Sequence, residues 1–297
     1  MHIGIDLGGT KTEIIAVDKG GVVLQRSREA TIRHYAGCLD QISRLVRAVE
    51  SLTGRTGTLG MGIPGSLSPE NGRVRNANSV WLNDRPLGAD LAERLERPVR
   101  IENDANCFAI SEATDGAARG AASVFGVILG TGVGGGLVID GRLQSGAQGI
   151  AGEWGHNPLP GIAEGTGPDC WCGRRGCVET YLSGPGLARD HAEAGGDRIP
   201  ASAIAAAAES GEPLAVSSMR RYVRRLARAL AVVTNLLDPE VIVLGGGLSN
   251  VEGLAGSVTA EMLPLVFCDR SRVTVRRHLH GDSSGVRGAA WLGAGLI

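Results

Sequence analysis

One histidine and three cysteines in the middle of the chain constrain the fold more than any other feature. His156 precedes a C-x-C-x4-C run formed by Cys170, Cys172 and Cys177. Imidazole and thiolate ligands in a set of four match a closed zinc site, which leaves no open position for an activated water. Because this spacing is less familiar than paired C-x-x-C, the residues alone leave the metal open. A metal here would shape a pocket and carry out no chemistry.

Two carboxylates flank this cluster. Glu153 lies before His156, and Glu179 follows Cys177, so a metal would hold both near each other. Carboxylates accept hydrogen bonds from vicinal hydroxyls, as the orientation of an uncharged polyol requires. A carboxylate pair is also typical of glycosidases. That alternative would leave the glycine-rich loops of this chain unexplained.

The length and charge of the chain limit its class. A chain of 297 residues can bury a substantial core, and we expect two lobes of sheets and helices. With 30 basic and 31 acidic residues, the net charge of -1 predicts no general attraction to nucleic acid or to an anionic membrane. No apolar run approaches the roughly 20 residues of a membrane span, and the chain opens without a basic-then-apolar leader. We therefore expect a cytoplasmic protein with a small neutral or locally anionic ligand.

The order of apolar patterns predicts two similar halves. Alternating residues from Ile3 onward indicate antiparallel strands followed by an amphipathic helix, and a second strand set begins near Ser123. We expect a smaller N-terminal lobe, 1–117 plus 283–297, and a larger lobe, 118–282. A long one-faced helix is predicted from Val216 to Leu237, and a last helix from about Ser284 to Leu296.

Three glycine-rich loops follow predicted strands, at Gly8-Gly9-Thr10-Lys11, Gly130-Thr131-Gly132 and Gly245-Gly246-Gly247. The first fails as a P-loop because Thr10 stands where lysine is required and a strand follows. The second fits G-x-G-x-x-G by letters, but an extended run follows it as well. Glycine backbones still approach phosphates closely, so these loops predict a bound polyphosphate. Asp6, just before the first loop, would hold a hydrated Mg²⁺ or satisfy turn N–H groups.

Four ordered motifs resemble the ROK family of sugar kinases and sugar-responsive repressors, and the match covers nearly the whole chain. They are Asp6-Leu7-Gly8-Gly9-Thr10, Glu102-Asn103-Asp104, Glu153-Trp154-Gly155-His156 and the cysteine run that ends at Glu179. The resemblance implies an actin-like ATPase (ribonuclease H-like) α/β fold of two lobes with a central cleft. It also implies that ATP and sugar meet in the cleft, a structural zinc loop in the larger lobe, and frequent dimerisation.

The resemblance assigns roles residue by residue. It makes Asp104 the catalytic general base, although an Asp at this place can also cap the helix expected to begin at Ala105. It implies two further sets of residues, and Asp6 with the glycine-rich loops predicts a third. The sugar contacts are Gly65, Asn78, Asn103, Asp104, Glu153, His156 and Glu179. The ligands of Zn²⁺ are His156, Cys170, Cys172 and Cys177, with different ring nitrogens of His156 serving sugar and metal. The contacts of ATP and Mg²⁺ are Asp6, Gly8, Gly9, Thr10, Lys11, Gly130, Thr131, Gly132, Gly246 and Gly247.

Three segments most resemble the fructokinase/mannokinase branch of this family. They begin at Asn76, Gly155 and His280. They predict phosphorylation of fructose to fructose 6-phosphate, with mannose or glucose as further substrates. N-acetylglucosamine kinases and glucokinases of the same family are the alternatives.

A sugar-sensing repressor is the alternative from another class. Repressors of this type carry a winged-helix or helix-turn-helix segment before the kinase-like part, whereas Asp6 here already belongs to the first glycine loop. The near-neutral charge also argues against a DNA-binding repressor. We expect a homodimer that binds a sugar and ATP and has no nucleic-acid or membrane partner.

Overall fold

The computed structural model describes residues 1–163 and 165–295, and within them the chain forms twelve strands and nine α-helices. In chain order these are β1 His2–Leu7, β2 Lys11–Val17, β3 Val23–Ala30, α1 Tyr35–Thr53, β4 Thr58–Ile63, β5 Ser66–Leu67, β6 Val74–Arg75, α2 Leu87–Leu95, β7 Val99–Asn103, α3 Asp104–Thr114, β8 Ser123–Leu129, β9 Val133–Ile139, β10 Arg142–Leu143, α4 Val178–Leu182, α5 Gly184–Glu193, α6 Ala201–Glu209, α7 Pro213–Leu237, β11 Val241–Gly245, α8 Leu254–Met262, β12 Thr274–Arg277 and α9 Ser284–Ala294.

The chain divides into two compact units. Unit 1 contains Met1–Gly120, Gly136–Ala151 and Leu279–Ile297, and unit 2 contains Ala121–Gly135 and Gly152–His278. The lobe boundaries expected from the sequence, 1–117 with 283–297 against 118–282, stay a prediction. The predicted last helix ends at Ala294, and its expected final residue, Leu296, lies outside the described residues.

The first sheet has the order β3-β2-β1-β4-β7. Its β1-β2 and β2-β3 pairs are antiparallel, as expected, whereas β1, β4 and β7 run parallel. The strands β1 and β4 are mostly apolar because parallel strands are covered on both faces. Parallel strands also bring their carboxyl ends to one edge, where ligands bind in open α/β sheets.

Helix α9 packs against one face of this sheet and against α3. Glycines make the close approach possible: a Cβ on Gly4 or Gly60 would overlap backbone atoms of α9, and a Cβ on Gly288 would overlap the carbonyl of Cys107 on α3. Most large apolar residues of unit 1 form a separate core around α1 and α2, on the side that α1 covers. The C-terminal segment is therefore an integral part of unit 1.

The second sheet repeats the plan of the first, with the order β10-β9-β8-β11-β12. The β10-β9 pair is antiparallel, and β8, β11 and β12 run parallel. The matching order supports the internal duplication inferred from the sequence. Strands β2 and β9 follow the first two glycine loops, which agrees with the exclusion of a P-loop and of a dinucleotide-binding loop.

Helix α7 is the long one-faced helix predicted from the sequence, and it begins three residues earlier, at Pro213. The arginines of α7 do not all point into solvent. Arg221 and Arg225 form ion pairs with Asp190, at 2.8 and 2.6 Å. Arg225 also lies over the ring of Tyr181, at 4.9 Å from the centroid. None of the helices in residues 1–163 and 165–295 combines the length and the apolar composition that a membrane crossing requires.

Candidate functional site

The carboxyl edge of the first sheet gathers the polar motifs of unit 1. In the parallel pairing Asp6 lies beside Gly62, and Gly62 lies beside Glu102. The residues that follow these positions, including Gly65 and Asp104, therefore leave the sheet at the same edge. The sequence predicted that strands end at these points, and the strand pairing shows that these strand ends are neighbours.

The Asp6 carboxyl lies in surroundings that disfavour its negative charge. Burial, and to a lesser extent the nearby carboxylates of Asp104 and Glu13, together raise its pKa to about 7 against the opposing effect of Arg28. A divalent cation relieves this kind of like-charge crowding, and Mg²⁺ takes oxygen ligands. The donor set at this edge therefore fits the predicted magnesium ion.

Asp104 is the first residue of α3, not its cap. The helix begins one residue earlier than expected, and Asn103 is the N-cap, whose Oδ1 accepts the N–H of Ala105 at 2.8 Å. Oδ1 of Asp104 also accepts this N–H at 2.8 Å. Because Asn103 supplies the cap, the competing structural role of Asp104 is weaker than the sequence indicated. Its side chain is exposed at the positive end of the helix dipole.

The Asn103 amide also reaches the loop after β4. Its Nδ2 donates to the carbonyl of Gly65 at 2.9 Å. Gly65 has φ of +79° and lies against the backbone of Arg75 and Ala77, so a side chain would not fit. Asn78, which is exposed, directly follows Ala77. Three of the residues predicted to contact the sugar are thus held in one cluster of unit 1.

In unit 2, His156, Cys170, Cys172 and Cys177 come together as predicted. Their ligand atoms all lie within 4.8 Å of one another. Two of these separations are 3.6 Å, between His156 Nδ1 and Cys170 Sγ, and 3.7 Å, between the Sγ atoms of Cys172 and Cys177. Two thiolates bound at about 2.3 Å to one tetrahedral Zn²⁺ would be about 3.8 Å apart. The cluster therefore fits a structural zinc, with His156 Nδ1 as its nitrogen ligand.

Glu179 stands in the first turn of α4, beside this cluster. Its Oε2 accepts the N–H of Val133 at 2.9 Å, and its Oε1 accepts the indole N–H of Trp171 at 2.7 Å. Glu153 is exposed and immediately precedes the short 3₁₀ turn Trp154–His156. The indole of Trp154 is buried, and its N–H donates to the carbonyl of Gly134 at 2.9 Å. The buried Trp154 thus anchors the segment that carries Glu153 and His156.

The predicted phosphate loops lie at strand ends in both units. In unit 1, the N–H of Gly8 donates to the carbonyl of Lys11 at 3.0 Å, and Gly9 and Thr10 between them are exposed. In unit 2, the parallel pairing of β8 with β11 brings two loops together, Gly130-Thr131-Gly132 and Gly246-Gly247. Gly246 has φ of +78° and packs against the backbone of Leu129. The backbone of each loop is accessible to an anion.

Sequence reasoning missed the partners that position these side chains. Trp171 lies between two predicted zinc ligands, yet nothing in the C-x-C pattern indicates that it contacts Glu179. The main-chain N–H of Val133 carries no sequence signal at all. Glu102 was quoted within a motif but given no role; it accepts hydrogen bonds from Asn106 at 2.9 Å and Ser145 at 2.8 Å.

Comparison with known proteins supports the resemblance noted in the sequence. The model of the ROK family matches residues 2–295. N-acetyl-D-glucosamine kinase of Vibrio cholerae is 41% identical over 303 residues, covering 98% of this chain and 99% of that protein. The crystal structure of a ROK hexokinase from Thermus thermophilus has a TM-score of 0.88 at 31% identity, covering 98% of this chain and 97% of that one.

A second solved structure is a ROK family glucokinase from Streptomyces griseus in complex with glucose and AMPPNP. It has a TM-score of 0.81 at 31% identity and covers 98% of both chains. These matches span nearly all of both units and confirm the expected actin-like ATPase fold. The chain belongs to the ROK family.

Proposed function

We propose that this protein is an ATP-dependent sugar kinase whose preferred substrate is N-acetylglucosamine. The observation that carries the proposal is the 41% identity with an N-acetyl-D-glucosamine kinase along 98% of the chain. Fructose, the substrate preferred from the sequence, is not supported by the relatives, which favour the N-acetylglucosamine alternative. The comparison with a glucokinase complex containing AMPPNP supports ATP as phosphoryl donor.

Asp104 is the general base of the proposed reaction. Its exposed carboxylate takes the proton from the attacking sugar hydroxyl, the hydroxyl oxygen bonds to the γ-phosphorus, and the bond from that phosphorus to the bridging oxygen of ADP breaks. The proton ends on Asp104 and the electron pair leaves with ADP. The 6-hydroxyl is the proposed acceptor.

The remaining side chains orient the sugar. Glu179 and Glu153 accept hydrogen bonds from hydroxyls, and His156 offers Nε2 because its Nδ1 faces the three cysteines. Gly65, Asn78 and Asn103 supply the contacts of unit 1. Bound zinc would tie the segment that carries His156 to the segment that carries Glu179, and its role is structural.

The nucleotide is assigned to the glycine loops. In unit 1 these residues are Gly8, Gly9, Thr10 and Lys11, and in unit 2 they are Gly130, Thr131, Gly132, Gly246 and Gly247. Backbone N–H groups in such loops bind phosphate oxygens without a Cβ in the way. Magnesium near Asp6 would neutralise charge on the phosphates. A homodimer without nucleic-acid or membrane partners stays a prediction from the sequence.

An ADP-release assay tests the proposal. The purified chain is incubated with ATP, Mg²⁺ and one of five sugars: N-acetylglucosamine, N-acetylmannosamine, glucose, mannose or fructose. We expect the highest kcat/KM with N-acetylglucosamine, and phosphate on carbon 6 of the product by NMR. A higher kcat/KM with fructose would restore the preference drawn from the sequence.

The sugar-sensing repressor remains the alternative from another class. It predicts that the chain binds a sugar in calorimetry but releases no ADP with any of the five sugars. Turnover with any one of them excludes a purely sensing role.

A further inference from the structure

Trp171 is placed unusually for a tryptophan. The residue is 70% exposed, whereas Trp154 and Trp291 are 5% and 3% exposed. An indole left in water presents a large apolar surface, and burial of that surface by a ligand is favourable. The ring stands between Cys170 and Cys172, so a bound zinc would fix the backbone on both sides of it.

The contacts of Trp171 place its ring at the proposed sugar site. Its Nε1 donates to Glu179 Oε1 at 2.7 Å, and its ring meets the His156 ring edge-to-face, with centroids 4.9 Å apart and an interplanar angle of 86°. The indole therefore touches two of the side chains assigned to the sugar. Held by these two contacts, it loses little conformational entropy when a ligand packs against it.

Glu179 can still accept hydrogen bonds from a ligand, although both of its oxygens already accept one from the protein. Val133 and Trp171 each provide one donor, and a carboxylate has about four acceptor positions. The two protein donors fix the plane of the carboxylate, and the remaining positions can accept from the sugar. The Trp171 N–H is thus a positioning contact for Glu179.

The chemistry of the proposed substrate matches this exposed ring. N-acetylglucosamine is covered with hydroxyls, and the methyl of its acetamido group is its one apolar appendage. Beside the carboxylates and the imidazole of this site, Trp171 offers exposed apolar surface. We propose that Trp171 determines specificity: its ring packs against the acetamido methyl group, and its N–H orients Glu179. This inference rests on the proposed N-acetylglucosamine kinase activity.

The test is isothermal titration calorimetry without ATP, comparing N-acetylglucosamine with N-formylglucosamine, which lacks only the methyl group. We expect the wild-type protein to bind the acetyl sugar about fourfold more tightly, as burial of one methyl-sized group predicts. Trp171→Ala should reduce this ratio to about one. Trp171→Phe keeps the ring but loses the N–H, and it should preserve the ratio while raising both Kd values about fivefold.

Phe267→Ala is the matched control. Phe267 is also an exposed aromatic residue of unit 2, 98% exposed, and its backbone N–H binds Asn235 on α7. This variant should leave both Kd values and their ratio unchanged. Zinc content by elemental analysis should be equal in all four proteins, which separates the loss of the ring from collapse of the cysteine loop.

Two results would overturn the inference: an acetyl-to-formyl ratio near one in the wild type, or the wild-type ratio retained in Trp171→Ala. The acetyl-to-formyl ratio of the wild type is measured without any variant, so a folding defect cannot affect it. If the protein binds N-acetylglucosamine but does not phosphorylate it, the proposed function fails, while the two binding ratios still decide the role of Trp171.

Discussion

The side-chain amide of Asn103 joins two loops at the carboxyl edge of the first sheet by donating to the carbonyl of Gly65 at 2.9 Å. The same side chain caps α3 through Oδ1. One residue therefore sets both the start of the helix that carries Asp104 and the position of the loop after β4. The two functions of this amide can be separated by mutation.

Asn103→Asp keeps the capping oxygen, since Asp and Asn cap equally well, but removes the donor to Gly65. We expect the free energy of unfolding to fall by about 1–2 kcal/mol, because a carboxylate then faces an unpaired carbonyl. Urea unfolding at pH 7 measures this. Asn71→Asp is the control: Asn71 is exposed and accepts a local N–H from Arg73, at 3.0 Å, so its change should stay within about 0.5 kcal/mol. Equal losses in the two variants would contradict the role of the Gly65 contact.

Asp104→Asn should abolish turnover while the protein stays folded. Asn cannot take the hydroxyl proton, and loss of a general base lowers kcat by about 100-fold or more. The effect on unfolding should be below about 1 kcal/mol, the usual contribution of an acidic residue in the first turn of a helix. Asp90→Asn, in the first turn of α2, is the matched control and should keep full kcat. Residual kcat above a few per cent in the Asp104 variant would refute the assignment.

Zinc removal should weaken sugar binding. We expect one zinc per chain by elemental analysis, a strong loss of zinc in Cys172→Ser, and a raised sugar KM because Glu179 and His156 lose their common support. Cys268→Ser is the control, since Cys268 is exposed and lies outside the cluster. A metal-free preparation with full activity would contradict this prediction.

An ion pair between His280 and Asp115 should make stability depend on pH. His280 Nε2 lies 3.2 Å from Asp115 Oδ1, and Arg287 also pairs with Asp115. The hydrogen bond with Asp115 raises the pKa of His280 above its usual value. Burial would raise the pKa of Asp115, but hydrogen bonds from His280 and Arg287 outweigh it and lower that pKa.

The sign of the effect follows from the raised pKa of His280. Its stabilisation is complete below the ordinary pKa of about 6.5 and is lost as pH rises through the higher folded value. The Asp115 contribution is lost only as pH falls below the ordinary carboxyl range. We expect His280→Gln to be less stable than wild type at pH 5.5 by about 1 kcal/mol and to approach it at pH 8.5, measured by urea unfolding. A difference that is independent of pH would show that protonation of His280 does not matter.

Several features could be read from the sequence because they depend on local chemistry. Alternation and helical spacing predicted β1 and α7, since burial of one face leaves a periodic pattern along the chain. His156 and the three cysteines could be grouped because few other arrangements use those ligand types together. The family resemblance then supplied the fold, whose topology no periodicity encodes.

Other features were decided only by the tertiary structure. Strand register brings Asp6, Gly65 and Asn103 to one edge, and the extended backbone of Asn103 at the end of β7 makes this residue rather than Asp104 the cap of α3. The contact of Glu179 with the Val133 N–H joins residues 46 positions apart in the chain, and its contact with Trp171 depends on how the cysteine loop folds back. A local pattern reports which face of an element is buried, whereas the partner of a side chain depends on how distant elements pack. The residue types of this site can therefore be identified from the sequence, but their relative positions are determined only by packing.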